Sequence, residues 1–256
     1  MQSVCGGLMQ TEMPLTKSIL VIGASGCIGS EIARSLALAG FAVGLHFCNN
    51  KKAVSDLSAI LQKSDCKSII LQSALRTVAD CDALIEQFAN EVTLFSGIAL
   101  CTGRVPWKLW LDTDESDWHS VYLEHCLIPF ALARAAHKQM GDGGRIVFLS
   151  SISAKYGGSD TTLHYAASKA ALEVSMMGLA RELAPHKILV NGVRAGFVDT
   201  PQQRLGRTQL AIDTRIRKIL LGRAGTAAEL GSAFAYLFSP GAGFITGEIL
   251  TVAGGD

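Results

Sequence analysis

The sequence has 256 residues, 49% of them hydrophobic and 18% charged, with a formal net charge of +1. That much apolar surface fills a large core and argues against disorder. A near-neutral chain with no basic stripe or acidic tail argues against nucleic acid as its main partner, and no stretch reaches the roughly 18 continuous apolar residues of a membrane span, so no membrane partner is expected either.

In chain order, residues 1–16 lack a basic segment followed by an apolar run, so they read as a flexible leader and not as a signal peptide. A first strand is expected over 18–22, then a glycine-rich turn and a helix over 28–38 with Ile28, Ile32 and Leu36 at helical spacing. Apolar runs at 41–47, 68–72 and 94–101 read as strands, separated by helices over 52–62 and 79–90. A long helix follows over 115–140, a strand over 145–150, a helix over 163–184 and a strand over 187–194. Residues 204–220 read as a mobile helical segment, 226–238 as a helix and 249–252 as a last strand. Strands apolar on both faces and alternating with helices predict an α/β fold: one Rossmann-type domain over 17–256, with a doubly wound, seven-stranded parallel sheet covered by helices on both faces.

The seven cysteines (Cys5, Cys27, Cys48, Cys66, Cys81, Cys101 and Cys126) form no C-x-x-C pair and no cluster with histidine. This pattern predicts reduced thiols in a cytoplasmic protein and no metal site.

The turn Ile22-Gly23-Ala24-Ser25-Gly26-Cys27-Ile28-Gly29 leaves the first strand and opens the first helix. Glycines there permit a tight turn and close backbone approach to a pyrophosphate, which the helix N-terminus attracts. Gly23, Ser25, Gly26, Cys27, Ile28 and Gly29 are therefore candidate cofactor contacts. At the end of the second strand an acid would bind the ribose 2′-hydroxyl of NAD(H) and repel a 2′-phosphate. The chain instead reads His46-Phe47-Cys48-Asn49-Asn50-Lys51-Lys52. Asn49 and Asn50 are the candidate contacts, and NADP(H) is favoured over NAD(H).

Tyr165 and Lys169 are spaced to share one helix face. A nearby ammonium is expected to lower the phenol pKa towards neutrality, so the phenol can give a proton to a carbonyl oxygen or take it back. Ser150 and Ser151 end the strand upstream, and a hydroxyl there can polarise the same oxygen.

These segments resemble the short-chain dehydrogenase/reductase family, with the nearest look being the 3-oxoacyl-[acyl-carrier-protein] reductase group. The resemblance runs from about Ser18 to Gly255 and rests on Gly23-Ala24-Ser25, Ser150-Ser151-Ile152, Tyr165-Ala166-Ala167-Ser168-Lys169, Val190-Asn191-Gly192-Val193-Arg194 and Ile245-Thr246-Gly247-Glu248-Ile249. It implies Ser151 as the catalytic serine beside Tyr165 and Lys169, with Lys169 also holding the nicotinamide ribose. It further implies cofactor contacts at Thr102, Gly103, Gly196, Val198 and Thr200, the last to the carboxamide. The chain departs from the family pattern at Cys27 (a glycine), Ala74 (an acid near adenine), Cys101 (in an Asn-Asn-Ala-Gly run), Ala195 (a proline) and His125 (an asparagine holding a proton-relay water). Cys27 is expected to crowd the pyrophosphate, and His125 either to titrate near neutrality within an altered relay or to be simply packed and hydrogen-bonded.

By the same resemblance, residues 201–221 form a substrate lid, which is basic here: Arg204, Arg207, Arg215, Arg217 and Lys218 against Asp213. Such a lid attracts an acidic carrier protein or phosphopantetheine arm, or it is simply an exposed helix with solvated charges. The family's basic docking positions fall on Asp142 and His186, however, which leaves a small free carbonyl substrate open. Trp107, Trp110 and Trp118 read as an aromatic wall or as packing at the rim. The helices over 115–140 and 163–184 imply a homotetramer or homodimer. The expected activity is NADPH-dependent reduction of a 3-oxoacyl thioester. The alternatives are a weakly catalytic or non-catalytic subunit of a hetero-oligomer and an NAD-dependent alcohol dehydrogenase.

Overall fold

The computed structural model describes residues 16–205 and 207–256, so the expected leader lies almost wholly outside the described residues. The elements run β1 (Lys17–Ile22), α1 (Cys27–Leu38), β2 (Ala42–Phe47), α2 (Lys51–Lys63), β3 (Ser68–Gln72), α3 (Val78–Glu91) and β4 (Leu94–Leu100). They continue with α4 (Glu115–Tyr122), α5 (Ile128–Met140), β5 (Arg145–Ser151), α6 (Ser153–Tyr156), α7 (Leu163–Leu183) and β6 (Leu189–Ala195). The last are α8 (Pro201–Arg204), α9 (Gln209–Ile216), α10 (Ala227–Phe238) and β7 (Ile249–Val252).

All seven strands pair in parallel, in the order β3-β2-β1-β4-β5-β6-β7. Alternation along β1 explains the two-sided core. Leu20 and Ile22 pack against α3, α5 and α7, while Ile19 and Val21 pack against α1, α2 and α10. The order reverses between β1 and β4, so a crevice opens there at the carboxyl ends of the strands, where ligands bind in open α/β sheets.

Two expected elements come out differently. The long helix over 115–140 is interrupted by a π-helical turn, Leu123–Leu127, between α4 and α5. The cause is Pro129: it has no N–H to give the His125 carbonyl, and its ring crowds that oxygen, so the helix widens there. The helix expected over 204–220 is shorter, α9 capped by Thr208, and a separate short helix α8 capped by Thr200 ends where that segment begins. Ile212 and Ile219 pack on Phe197 and hold this segment against the body. No helix among the described residues is long and apolar enough to cross a membrane.

Candidate active site

The glycine turn is held by sterics and by one histidine. Gly23 has φ +78°, and a side chain there would lie 2.5 Å from the Cys101 carbonyl. A side chain at Gly29 would lie 2.2 Å from the Gly23 carbonyl, so only glycine lets α1 start this close to β1. No side chain caps α1 at Gly26, and its first-turn amides have no partner within the helix. That is the donor set a pyrophosphate takes, so the residues present fit a dinucleotide. Cys27 is exposed as the first helical residue. Partial desolvation of its thiol, then the nearby Glu31 and Asp199, raise its pKa, so it stays a neutral thiol that would not repel phosphate.

His46 was not among the residues singled out from sequence. It is buried in β2, and its Nδ1 accepts from the Gly23 N–H at 3.2 Å. An N–H can only donate, so Nε2 carries the ring proton and donates it to the Ser73 carbonyl at 3.1 Å. Burial pushes its pKa down to about 4, and the ring remains neutral. One imidazole thus ties the glycine turn to the end of β3. The available signal was a histidine inside the apolar run over 41–47.

The end of β2 narrows the 2′-phosphate candidates. Asn50 uses its side-chain oxygen to cap α2 on the Ala53 N–H, and Lys52 pairs with Asp56 at 2.7 Å. Asn49, the Asn50 amide nitrogen and exposed Lys51 are left for a ligand.

Ser151 and Tyr165 line one cleft of about 320 Å³ together with Gly196, at the carboxyl ends of β5 and β6. Ser150 points the other way and donates to Glu173 at 2.7 Å, and Glu173 in turn holds Arg194. Alternation along β5 therefore separates a structural serine from the one in the cleft. Lys169 is buried behind the cleft. It donates to the Leu149 carbonyl at 2.9 Å and lies 5.9 Å from the centre of the Tyr165 ring.

This geometry overturns the expected phenol shift. Burial pushes the Tyr165 pKa up to about 12, and the neighbouring Ser151 hydroxyl only partly offsets it. Burial also lowers Lys169 to about 8, with Cys101, Glu173 and Cys126 pulling the other way. The ammonium is engaged by the Leu149 carbonyl and faces the phenol ring, and burial dominates the phenol's shift.

His125 follows the packed, hydrogen-bonded reading and not the titrating one. The π-helical turn brings its ring edge-on to Tyr165, with centres 5.0 Å apart. Its Nε2 is 2.9 Å from the Arg104 carbonyl, and a side chain at Gly103 (φ +86°) would overlap the imidazole. Burial, then the Lys169 charge, push its pKa down to about 3. Burial therefore holds the ring neutral at physiological pH, against the expected titration near neutrality.

The remaining expected contacts converge on the same crevice or support it. Thr102 and Gly103 follow β4, and Gly196 lines the cleft. Val198 is buried and bridges to Gly225, and Thr200 caps α8 from a buried position. The three tryptophans do not form one wall. Trp107 lines the cleft, Trp118 stacks on Tyr122 and Trp110 is exposed. The six described cysteines are free thiols, and no group of metal-ligating side chains occurs among the described residues.

The model of the family described as "Enoyl-(Acyl carrier protein) reductase" matches residues 23–256. An uncharacterized oxidoreductase of Bacillus subtilis, YmfI, is 34% identical over 94% of this chain and 99% of its own length. A short-chain dehydrogenase/reductase from Serratia marcescens superposes with a TM-score of 0.88 at 27% identity, covering 95% of this chain and 99% of that one. The chain belongs to the short-chain dehydrogenase/reductase family. It is therefore an oxidoreductase built on that family's single Rossmann-type domain. The angucycline C-6 ketoreductase LanV with bound NADP also matches, with a TM-score of 0.88 at 27% identity, covering 94% of this chain and 96% of that one.

Proposed function

We propose that this protein is an NADPH-dependent carbonyl reductase that converts a 3-oxoacyl thioester to the 3-hydroxy product. The observation that carries the reading is the shared cleft of Ser151 and Tyr165, opening at the carboxyl ends of the strands. When bound, NADPH supplies hydride to the carbonyl carbon. Gly23, Ser25, Gly26, Cys27, Ile28 and Gly29 would hold its pyrophosphate, and Thr102, Gly103, Gly196, Val198, Thr200 and Lys169 its nicotinamide end. The NADP preference rests on the absence of an acid after β2, on Asn49, Asn50 and Lys51 there, and on the NADP held by the similar LanV structure.

In this reading the Ser151 hydroxyl donates a hydrogen bond to the substrate oxygen. Tyr165, with its pKa near 12, is a full reservoir of protons at neutral pH and protonates that oxygen. Positioned general acids of this kind contribute about 10²–10⁴-fold. The buried Lys169 charge favours anionic character in the phenol as it gives up its proton. His125 stays neutral and orients the phenol ring by edge contact. Assembly as a homodimer or homotetramer is supported by exposed apolar side chains on α5 and α7, among them Phe130, Val174 and Met177.

The test is titration of the purified protein with NADPH and NADH, followed by reduction of acetoacetyl-coenzyme A. Tighter binding of NADPH and steady turnover are expected. A clear NADH preference overturns the cofactor assignment. No binding of either at millimolar concentration overturns the enzymatic reading in favour of a non-catalytic subunit.

A further inference from the structure

The cleft that contains Ser151 and Tyr165 has an unusual far wall. Arg207, Arg215, Lys218 and Trp107 line it, and the same four side chains line an adjoining outer chamber of about 360 Å³. They form the partition between the two spaces. Among the described residues the single acid lining the inner chamber is Asp256, and it pairs with Arg215. Asp160 lines the outer chamber and is exposed.

Arg207 is different from Arg215. It makes no ion pair with any described residue, although it is half-buried. Its guanidinium carbon lies 4.3 Å from the centre of the Trp107 ring and 5.7 Å from that of Phe197. Stacking fixes the plane of a guanidinium and leaves its N–H edge free for a planar or tetrahedral oxyanion. The indole N–H of Trp107 is also buried and without a described partner. Burial lowers the pKa of both arginines, and Arg207 further lowers that of Arg215. Two like charges held out of water beside one carboxylate are stabilised by a further anion.

We propose that Arg207 is a specificity residue that binds an anionic oxygen group on the substrate, at the partition between the two chambers. The inference rests on the carbonyl-reductase reading and adds the chemistry of the substrate's other end. The anion is the carboxylate of a small oxo acid or the phosphate of a pantetheine arm; both present the same oxyanion to the same fork.

Matched probe pairs test it with purified protein and NADPH. One pair is 5-oxohexanoate and its methyl ester. The other is acetoacetyl-coenzyme A and acetoacetyl-N-acetylcysteamine, which lacks phosphate. In at least one pair the anionic member is expected to have a kcat/KM at least tenfold above its neutral partner. Arg207→Met should bring that ratio to within about threefold of one, and Arg207→Lys should give an intermediate ratio. Preference in the first pair assigns a carboxylate, and in the second a phosphate. Equal use of both members in both pairs overturns the proposal while the reductase reading stands. So does an Arg207→Met variant that lowers both members equally.

If no carbonyl is reduced with either cofactor, the reductase reading fails, and the anion site is judged by calorimetry with glutarate. Binding to the native protein that is lost in Arg207→Met supports the site, and absence of binding to the native protein overturns it.

Discussion

The glycine turn and the far wall of the cleft are built on opposite principles. In the turn, position is enforced by the backbone: a side chain at Gly29 has no room, and one at Gly23 would meet the Cys101 carbonyl. In the wall, position is enforced by long side chains, with Arg207 lying across Trp107 and Arg215 drawn to Asp256. In the proposed reading, the first arrangement would serve a ligand part common to all dinucleotides, and the second whatever is particular to one substrate. A rigid end and an adaptable end in one crevice let the chemistry stay fixed while the substrate varies.

The sharpest way to break this contrast is to titrate the rigid scaffold. His46 and His125 have folded pKa values of about 4 and about 3, chiefly because of burial, against about 6.5 in an unfolded chain. Below pH 6.5 the unfolded chain takes up protons that the folded protein refuses. The stabilising contribution of both rings is therefore complete above pH 6.5 and lost as pH falls towards 4 and then 3. Each contributes a slope of up to about 1.4 kcal/mol per pH unit. Urea unfolding at pH 7, 6, 5 and 4.5 checks this, and His125→Asn should lower the slope without abolishing it, since His46 and His164, whose pKa burial also lowers, remain. A stability that is flat between pH 7 and 4.5 would contradict buried neutral histidines at these two positions.

A smaller perturbation addresses the turn alone. Gly29→Ala forces a methyl onto the Gly23 carbonyl, and overpacking of this kind costs about 1–3 kcal/mol. Thermal unfolding and NADPH titration should show a lower melting temperature together with at least tenfold weaker binding. Unchanged affinity would mean that the turn does not hold the cofactor. The smallest effect is expected at Cys27, where the side chain is exposed and neutral. Cys27→Gly should tighten NADPH binding by no more than about tenfold, about 1.4 kcal/mol. A loss of affinity would give the thiol a binding role of its own.

The same contrast explains what could be read from the sequence. The strands and most helices were legible, because apolar alternation and helical spacing are local signals, and the doubly wound sheet followed from them. The glycine turn and the Tyr165–Lys169 pair could be singled out for the same reason: each lies in one short segment, and the structure places Tyr165 in the cleft with Lys169 buried behind it. The break in the helix over 115–140 was not, although Pro129 carried the signal, because a proline in a helical pattern does not announce a widened turn. The shift of Tyr165 was misjudged because a helical spacing of Tyr and Lys does not reveal burial, or that Leu149 already engages the ammonium. Ser150 and Ser151 could be separated only by resemblance, since the direction of each along β5 depends on where the strand sits in the sheet. Arg207 was visible only as one charge in a basic stretch, because its stacking partner lies 100 residues away in the chain.

The central claim is that Tyr165 donates the proton in a carbonyl reduction, and the most direct measurement is the kcat of Tyr165→Phe with the NADPH dissociation constant determined on the same preparation. Removing only the hydroxyl should leave the fold and cofactor affinity close to native while turnover falls by about 10²-fold or more. A variant that binds NADPH normally and retains more than about a tenth of the native kcat, a barrier change of only about 1.4 kcal/mol, would contradict the account.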